Sequence, residues 1–584
     1  MARPTFRPRR AAGLALGLLL AAASAKPAAA QYFGRNKVQY ERFDFRVMKT
    51  EHFDVYFYPE EETAARDAAR MAERWYARLS GLLDHRFEQR QPLILYASHP
   101  HFQQTATLGG EISDGTGGVT EAFKQRVVMP FSYSYEETDH VLGHELVHAF
   151  QYDISGVGRA GAGIEQAARR FVVPGWFMEG MAEYLSVGPV DPLTANWLRN
   201  AAVSGRIPTV EQLGSDPRIF PYRYGHALWA YVGGRWGDAV IGQVLKLAGQ
   251  GVPYEEAFER TLHVTLEELS DEWHASIRRA YLPLLLDRKE AREIARPLVT
   301  AAREGGRLNV GPSVSPDGRW VAFLSELDFM DVELHLADAA TGRVVRTLQK
   351  GAAFDSHYSS LRYVHSAGAW SPDGRRFALA AQRGAQDVLA VLDVRRAERV
   401  QEVAIPGVGE LAGPTWSPDG HTVVVSGLKG GVSDLYAVDL RTGRATRLTD
   451  DRYTEMQPAF SPDGRRLAFV TDRFGTRLDA LTYAPYQLAV MDMDTRAITP
   501  VPGMAGTHNL DPQWTADGAG LFFVSNRSGI PNVYRVALDG GALSRVTDVF
   551  SGVSGITDVS PSISLSRDGS RLVFTAFEDK GHNL

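Results

Sequence analysis

The sequence predicts a two-part chain, an α+β domain followed by an all-β propeller, and three observations carry that reading. Strand-like alternation in the first half is confined to residues 52–130; helix-period patterns dominate from about Glu136 to Leu286; and from Ser315 onward one short motif returns six times. With 584 residues there is room for several domains, and 44% hydrophobic against 23% charged residues suits packed globular domains better than a disordered or polytopic chain. The formal net charge of −6 supplies no basic field for phosphate backbones, so nucleic acid is not an expected partner.

The first thirty residues, MARPTFRPRRAAGLALGLLLAAASAKPAAA, read as an export signal: arginines, an apolar run from Ala11 to about Ala23, and Ala28-Ala29-Ala30 as a cleavage site before Gln31. The run is shorter than the ~18–20 residues a membrane span needs. Arg9-Arg10 leaves both the general and the twin-arginine route open, and the expected location is periplasmic or secreted, with no transmembrane segment after cleavage. The chain has no cysteine, which excludes disulfides and thiolate metal sites.

After the leader, HFDVYFYP (52–59) alternates as a strand, residues 61–83 carry apolar positions at helical spacing behind leading acids, and PLILYAS (92–98) reads as a buried strand. A glycine-rich loop, LGGEISDGTGG (108–118), then leads into VTEAF and RVVMPF, which form a hairpin around Lys124-Gln125. Early strands followed by helices predict an α+β domain over 31–290 rather than a doubly wound parallel one.

The helical stretch opens with TDHVLGHELVHAFQYD (138–153). On a helix His144 and His148 lie one turn apart on one face, so their imidazoles can converge on one ion while Glu145 faces the open side. Two histidines leave a tetrahedral zinc short of a third protein ligand, with the fourth position kept for water. Downstream, PGWFMEGMAEYLS (174–186) places Glu179 and Glu183 one turn apart on an apolar helix, where two carboxylates are costly unless a metal and its histidines pair with them. His140, a turn before His144, reads as a hydrogen-bonded histidine, because a fourth protein ligand would exclude the catalytic water.

HELVH followed by WFMEGMAEY resembles the gluzincin metallopeptidases, most closely the aminopeptidase N and leukotriene A4 hydrolase branch; the resemblance spans about 137–232. It implies a zincin-like domain in which His144, His148 and Glu179 bind Zn2+, Glu145 is the general base, and Glu183 orients a ligand histidine through its free ring nitrogen. The family's tyrosine after the third ligand, which stabilises the oxyanion, points to Tyr224 in FPYRYGHALWAYV (220–232), with Tyr222 and His226 as further substrate-binding candidates. The family's G-x-M-E-N edge strand is matched by Gly118-Val119-Thr120-Glu121-Ala122 only at its first and fourth positions. Glu121 is thus a candidate for holding a substrate's amino group, exo- and endopeptidase action both stay open, and VTEAF is suited to pair with an extended peptide.

From 291 the character changes. SPDGRWVAFLS at Ser315, SPDGRRFALAA at Ser371, SPDGHTVVVSG at Ser417, SPDGRRLAFVT at Ser461, TADGAGLFFVS at Thr515 and SRDGSRLVFTA at Ser566 recur at intervals of 44 to 56 residues. In each an Asp-Gly turn joins two β-rich segments, and units of this length close radially as four-stranded blades. The repeats resemble the TolB-like propellers, which implies six blades over 291–584 and a partner among cell-envelope proteins. The chain stops at FEDKGHNL, where the sixth unit should begin its third strand, so we expect an incomplete last blade; ARPLVTAAREGG (295–306) is placed to supply a strand that helps close the ring.

The leading functional expectation is therefore an exported zinc peptidase acting on a peptide or protein substrate. The alternative is a non-catalytic envelope scaffold with a structural zincin domain. A serine hydrolase lacks its G-x-S-x-G elbow here.

Overall fold

The computed structural model describes residues 37–110, 112–157, 171–327, 331–579 and 581–584; the expected export signal lies outside the described residues. The first half holds a five-stranded sheet in the order β1-β2-β3-β5-β4, with β1 Arg46–Lys49, β2 Phe53–Phe57, β3 Gln91–Tyr96, β4 Val119–Glu121 and β5 Arg126–Pro130. Its central pairs, β2/β3 and β3/β5, are parallel, and its outer pairs, β1/β2 and β4/β5, antiparallel. The strands beyond β1 fall where the alternation predicts them. The parallel centre was not expected, and its cause is the crossover: helix α1, Glu62–Leu83, carries the chain back over the sheet between β2 and β3. β1 escaped the sequence reading because it is largely exposed, with no apolar alternation to mark it. The β4–β5 hairpin turns at Gln125, whose φ is +44°.

Four further helices position the site: α2 Tyr135–Ser155, α3 Gly175–Val187, α4 Pro192–Val203 and α5 Pro221–Trp236. Ser134 caps α2, its hydroxyl accepting from Glu137 N at 3.1 Å, with Glu136 and Glu137 in the first turn and Gly156 in the left-handed conformation at its end. α2 lies tightly on α1: a Cβ at Gly143 would stand 2.6 Å from the Trp75 ring. α3 and α5 meet backbone to backbone at Gly180 and Gly225, where a Cβ on Gly180 would fall 2.3 Å from the Gly225 carbonyl carbon. Trp176, Phe177, Trp229 and Phe258, all fully buried, anchor this helical core.

The second half is a β-propeller. Five blades span 309–349, 360–403, 410–447, 455–500 and 509–545, four of them four-stranded and the second with its inner strand split in two, and a two-stranded sheet, Ile563–Leu565 with Leu572–Phe574, follows. Its first strand lies beside the inner strand of the first blade, where Val314 N donates to Ser564 Oγ at 2.9 Å. Leu298 and Val299 exchange backbone hydrogen bonds with Leu584, so the 295–306 segment meets the chain's last residue without forming the expected strand.

The recurrent motif has a single geometry. In all six copies the Ser or Thr hydroxyl donates to the Asp carboxylate two residues on, at 2.5–2.6 Å, and the Gly takes a φ between +67° and +73°. Trp370, Trp416 and Trp514, each just before a motif, donate their indole N–H to a carbonyl of the preceding blade at 2.8–3.0 Å and so stitch neighbouring blades together.

The helical half covers the propeller face opposite these turns. Arg452 pairs with Asp67 at 2.8 Å, Ser134 Oγ and Tyr486 Oη lie 2.7 Å apart, and His365 meets Glu137 at 3.1 Å. On the other side Arg199 donates to Ser551 O at 3.1 Å and Asn196 to Ser554 Oγ at 2.9 Å. No helix among the described residues is long and apolar enough to cross a membrane.

Candidate metal centre

The two α2 histidines and the first α3 glutamate meet. His144 Nε2 and His148 Nε2 are 3.2 Å apart, and Glu179 Oε2 lies 3.3 Å from the former and 3.2 Å from the latter. Ligands about 2.0–2.1 Å from a tetrahedral cation stand roughly 3.3–3.4 Å from one another, so this near-equilateral triangle has the spacing of one face of such a polyhedron.

The outer nitrogens fix the tautomers. His144 Nδ1 is 3.1 Å from Glu183 Oε1, and His148 Nδ1 is 2.8 Å from Gln151 Oε1, whose amide in turn donates to Met178 O at 3.1 Å. Both Nδ1 atoms therefore donate, which turns both Nε2 lone pairs inward toward the carboxylate. Close to one another, these three atoms need a positive charge among them, which either a proton on His144 Nε2 or a bound cation supplies. Burial opposes charge on His144, but hydrogen bonds to Glu179 and Glu183 outweigh it and push the ring up to about 10. Burial likewise works against ionised Glu179 and Glu183, yet the neighbouring histidines hold both well below the usual carboxylate range. The donor set, two imidazoles and one carboxylate, is one that divalent transition metals take.

Glu145 sits beside this triangle, 6% exposed, held from the edge strand. Thr120 Oγ1 lies 2.6 Å from its Oε2 and 2.8 Å from its backbone carbonyl, and Gly118 leaves the room the side chain needs, since a Cβ there would stand 2.9 Å from Glu145 Cγ. Glu183 is steadied by Arg223 Nη1 at 3.6 Å, and Arg223 is itself fixed by Asp191 at 2.9 Å. His140 Nε2 reaches Glu183 at 3.6 Å, which makes it a neighbour of the outer carboxylate and not a member of the triangle.

Of the candidates outside the triangle, Tyr222 and not Tyr224 is at the site. The Tyr222 ring is stacked over His144 at 6.0 Å, and burial together with Glu179 raises its hydroxyl far above the usual tyrosine value, so it stays a protonated donor. Tyr224 points away and meets Trp197 edge-on at 5.9 Å. One turn of α5 has nearly four residues, so two tyrosines two apart face opposite sides, and contact with α3 selects the first. His226 is buried between Thr194 Oγ1 and Gly188 O, at 3.0 and 2.7 Å, and so packs the helices instead of facing a substrate. Glu121 is paired with Arg126 and, at 3.4 Å, with Lys124. Gln151 and Tyr152, which stacks on His148 at 6.4 Å, were missed; their places three and four residues after His148 were the available signal.

The family model described as the TolB beta propeller domain matches residues 362–478. The chain is 31% identical over 99 residues to the uncharacterized peptidase YuxL of Bacillus subtilis, 33% over 143 residues to a TolB homolog of Chlorobium luteolum, and 28% over 118 residues to dipeptidyl-peptidase 5 of Porphyromonas gingivalis. These matches take in 17%, 24% and 20% of this chain and only 14%, 28% and 16% of the relatives' own length. The crystal structure of TolB from Acinetobacter baumannii aligns at 19% identity and a TM-score of 0.35, over 54% of this chain and 66% of that one. The repeated Ser-Pro-Asp-Gly turns, the five blades and the family match together identify the second half of the chain as a TolB-like β-propeller.

Proposed function

We propose that the chain is an exported zinc-dependent peptidase: residues 31–290 form a zincin-like catalytic domain, and 291–584 a six-bladed propeller with a reduced last blade that binds substrate or an envelope partner. The observation that carries this reading is the triangle of three inward-facing acceptors at 3.2–3.3 Å with a glutamate beside it. Two relatives bear peptidase names, which supports it more weakly.

His144, His148 and Glu179 would hold the ion, and Zn2+ bound there supplies Lewis acidity that lowers the pKa of water toward neutrality and polarises a carbonyl. Glu145 acts as the base: Thr120 occupies its Oε2, and its other oxygen takes the proton of the attacking water and delivers it to the leaving amine. The protonated Tyr222 hydroxyl donates to the oxyanion as charge develops on it. Glu183 and Gln151 keep the imidazoles in the tautomer that points Nε2 inward. The edge strand β4, beside α2, offers its unpaired side to an extended peptide.

The test is zinc content and peptide hydrolysis of the mature protein and of Glu145→Gln. We expect about one zinc per chain in both, and cleavage lost by about 10²–10⁴-fold in the variant. A protein that carries no zinc and stays inert after zinc is restored would end the proposal, whereas zinc without activity in both forms would favour a structural role.

A further inference from the structure

Beside the triangle of His144, His148 and Glu179 runs a ladder of aromatic rings whose middle member is partly open. The Tyr222 ring lies over His144; Phe220 follows at 5.0 Å from Tyr222 with the planes 30° apart; Trp197 stands 5.5 Å from Phe220; and Phe577, from the propeller, is stacked on Trp197 at 4.4 Å. Phe577 is 3% exposed and Trp197 and Tyr222 are half-buried, but Phe220 leaves 44% of its surface to solvent. A phenyl ring that leaves nearly half its surface to solvent loses part of the burial free energy it could gain, and here that ring neighbours Tyr222, which stacks on His144.

The ladder is held rigidly. Phe220 occupies the position before α5 and is fixed by the following Pro221, whose ring packs near Gly175 at the start of α3. Trp197 sits on α4, which Asp191 caps by accepting from Thr194 N at 2.7 Å and which the propeller holds through Ser551 and Ser554. Phe220 therefore presents a preorganised face, with little rotamer entropy left to lose when a ligand covers it.

We propose that Trp197, Phe220 and Tyr222 form a subsite for a large apolar side chain of the peptide substrate, best filled by an aromatic ring. Such a ring would cover the exposed part of Phe220, with Tyr222 and Trp197 on either side of it. The propeller takes part in selecting the substrate, because Phe577 backs the ladder. This inference rests on the peptidase reading of the same centre and adds a substrate class to it.

Matched peptides that differ only in phenylalanine or alanine at positions flanking the scissile bond test it. We expect the protein to prefer phenylalanine at one such position by about 10- to 200-fold in kcat/KM. Phe220→Ala should bring that ratio close to unity, and Phe220→Leu should keep part of it. A ratio unchanged by Phe220→Ala, including an equal loss on both peptides, overturns the subsite. Binding of the same peptides to Glu145→Gln, measured by calorimetry with and without Phe220→Ala, reads the subsite apart from catalysis. If no peptide is cleaved but phenylalanine still binds more tightly and loses that advantage with Phe220→Ala, the peptidase reading fails and the subsite stands; equal binding of both peptides overturns the subsite.

Discussion

Two buried clusters of histidines and carboxylates lie some distance apart in this molecule, one around His144 and one around Arg362, and they differ in whether the chain supplies its own cation. Arg362, 4% exposed, donates through Nε to both oxygens of Asp387 at 3.0 and 2.9 Å and through Nη1 to Asp114, which also accepts from the backbone of Tyr363 and Val364. His99 donates its backbone N–H to Glu410, and His365 and Glu137 pair nearby. That cluster joins the two halves of the protein and is neutralised from within. Around His144 the three inner acceptors face only one another, and Arg223 reaches no further than Glu183. The same residue types thus make an interface where an arginine is built in and, where none is, a cluster whose carboxylate is balanced by a proton on His144 or by the proposed metal, because buried carboxylates persist only beside a positive charge.

The largest effect that would sharpen this contrast is expected from His148→Ala. Removing one corner of the triangle should abolish metal binding and lower peptidase activity by at least about 10³-fold, since metal-dependent hydrolysis rests on all three ligands; full metal retention on elemental analysis would break the comparison. Arg362→Met should act on the other axis. Loss of the internal cation leaves Asp114 and Asp387 unpaired and should destabilise the protein by about 3–5 kcal/mol in urea unfolding, with zinc stoichiometry unchanged.

The two clusters should also respond to pH with opposite signs. At the triangle a proton competes with the metal for His144, whose ring is pushed up to about 10 without one, so apparent metal affinity should fall as pH drops, by about tenfold per unit and per proton displaced. At the interface burial pushes Glu410 up to about 7, against the pull of Arg362. A carboxyl raised above its unfolded value of about 4.3 contributes stability that is fully present below that value and lost as pH rises through 7. Glu410→Gln should flatten this decline in the urea midpoint between pH 5 and 8, and an unaltered slope would place its origin elsewhere. The smallest effect is expected of Thr120→Val, which removes the hydrogen bond to Glu145 and should cost about 1 kcal/mol, read as roughly a fivefold fall in kcat with metal content unchanged.

Much of the candidate centre was legible because its signals are local. HELVH places His144 and His148 by helical geometry alone, and the apolar setting of Glu179 and Glu183 marks both as needing partners. Which glutamate joins the triangle and which lies behind His144 followed only from the resemblance to gluzincins, and the distances assign Glu179 to the inner and Glu183 to the outer position. Tyr224 was chosen over Tyr222 for want of any sequence signal for helix rotation, which the Gly180–Gly225 approach decides. Glu121 and His226 were plausible by type and are engaged elsewhere by Arg126, Thr194 and Gly188, none of which a local reading could assign to them. The blades were legible for the opposite reason, since repetition makes one turn geometry visible six times.

What the sequence determined by itself is therefore whatever is fixed within a few residues: the turn of helix that aligns two imidazoles, the Asp-Gly turns, the hairpin at Gln125. Tertiary structure alone decided that Glu179 reaches those imidazoles, that Tyr222 covers them, and that Arg362 finds Asp114 across 248 residues of chain. The physical reason is that local geometry follows from backbone sterics and short-range hydrogen bonds, whereas these meetings depend on how whole helices and blades pack, which no single segment encodes.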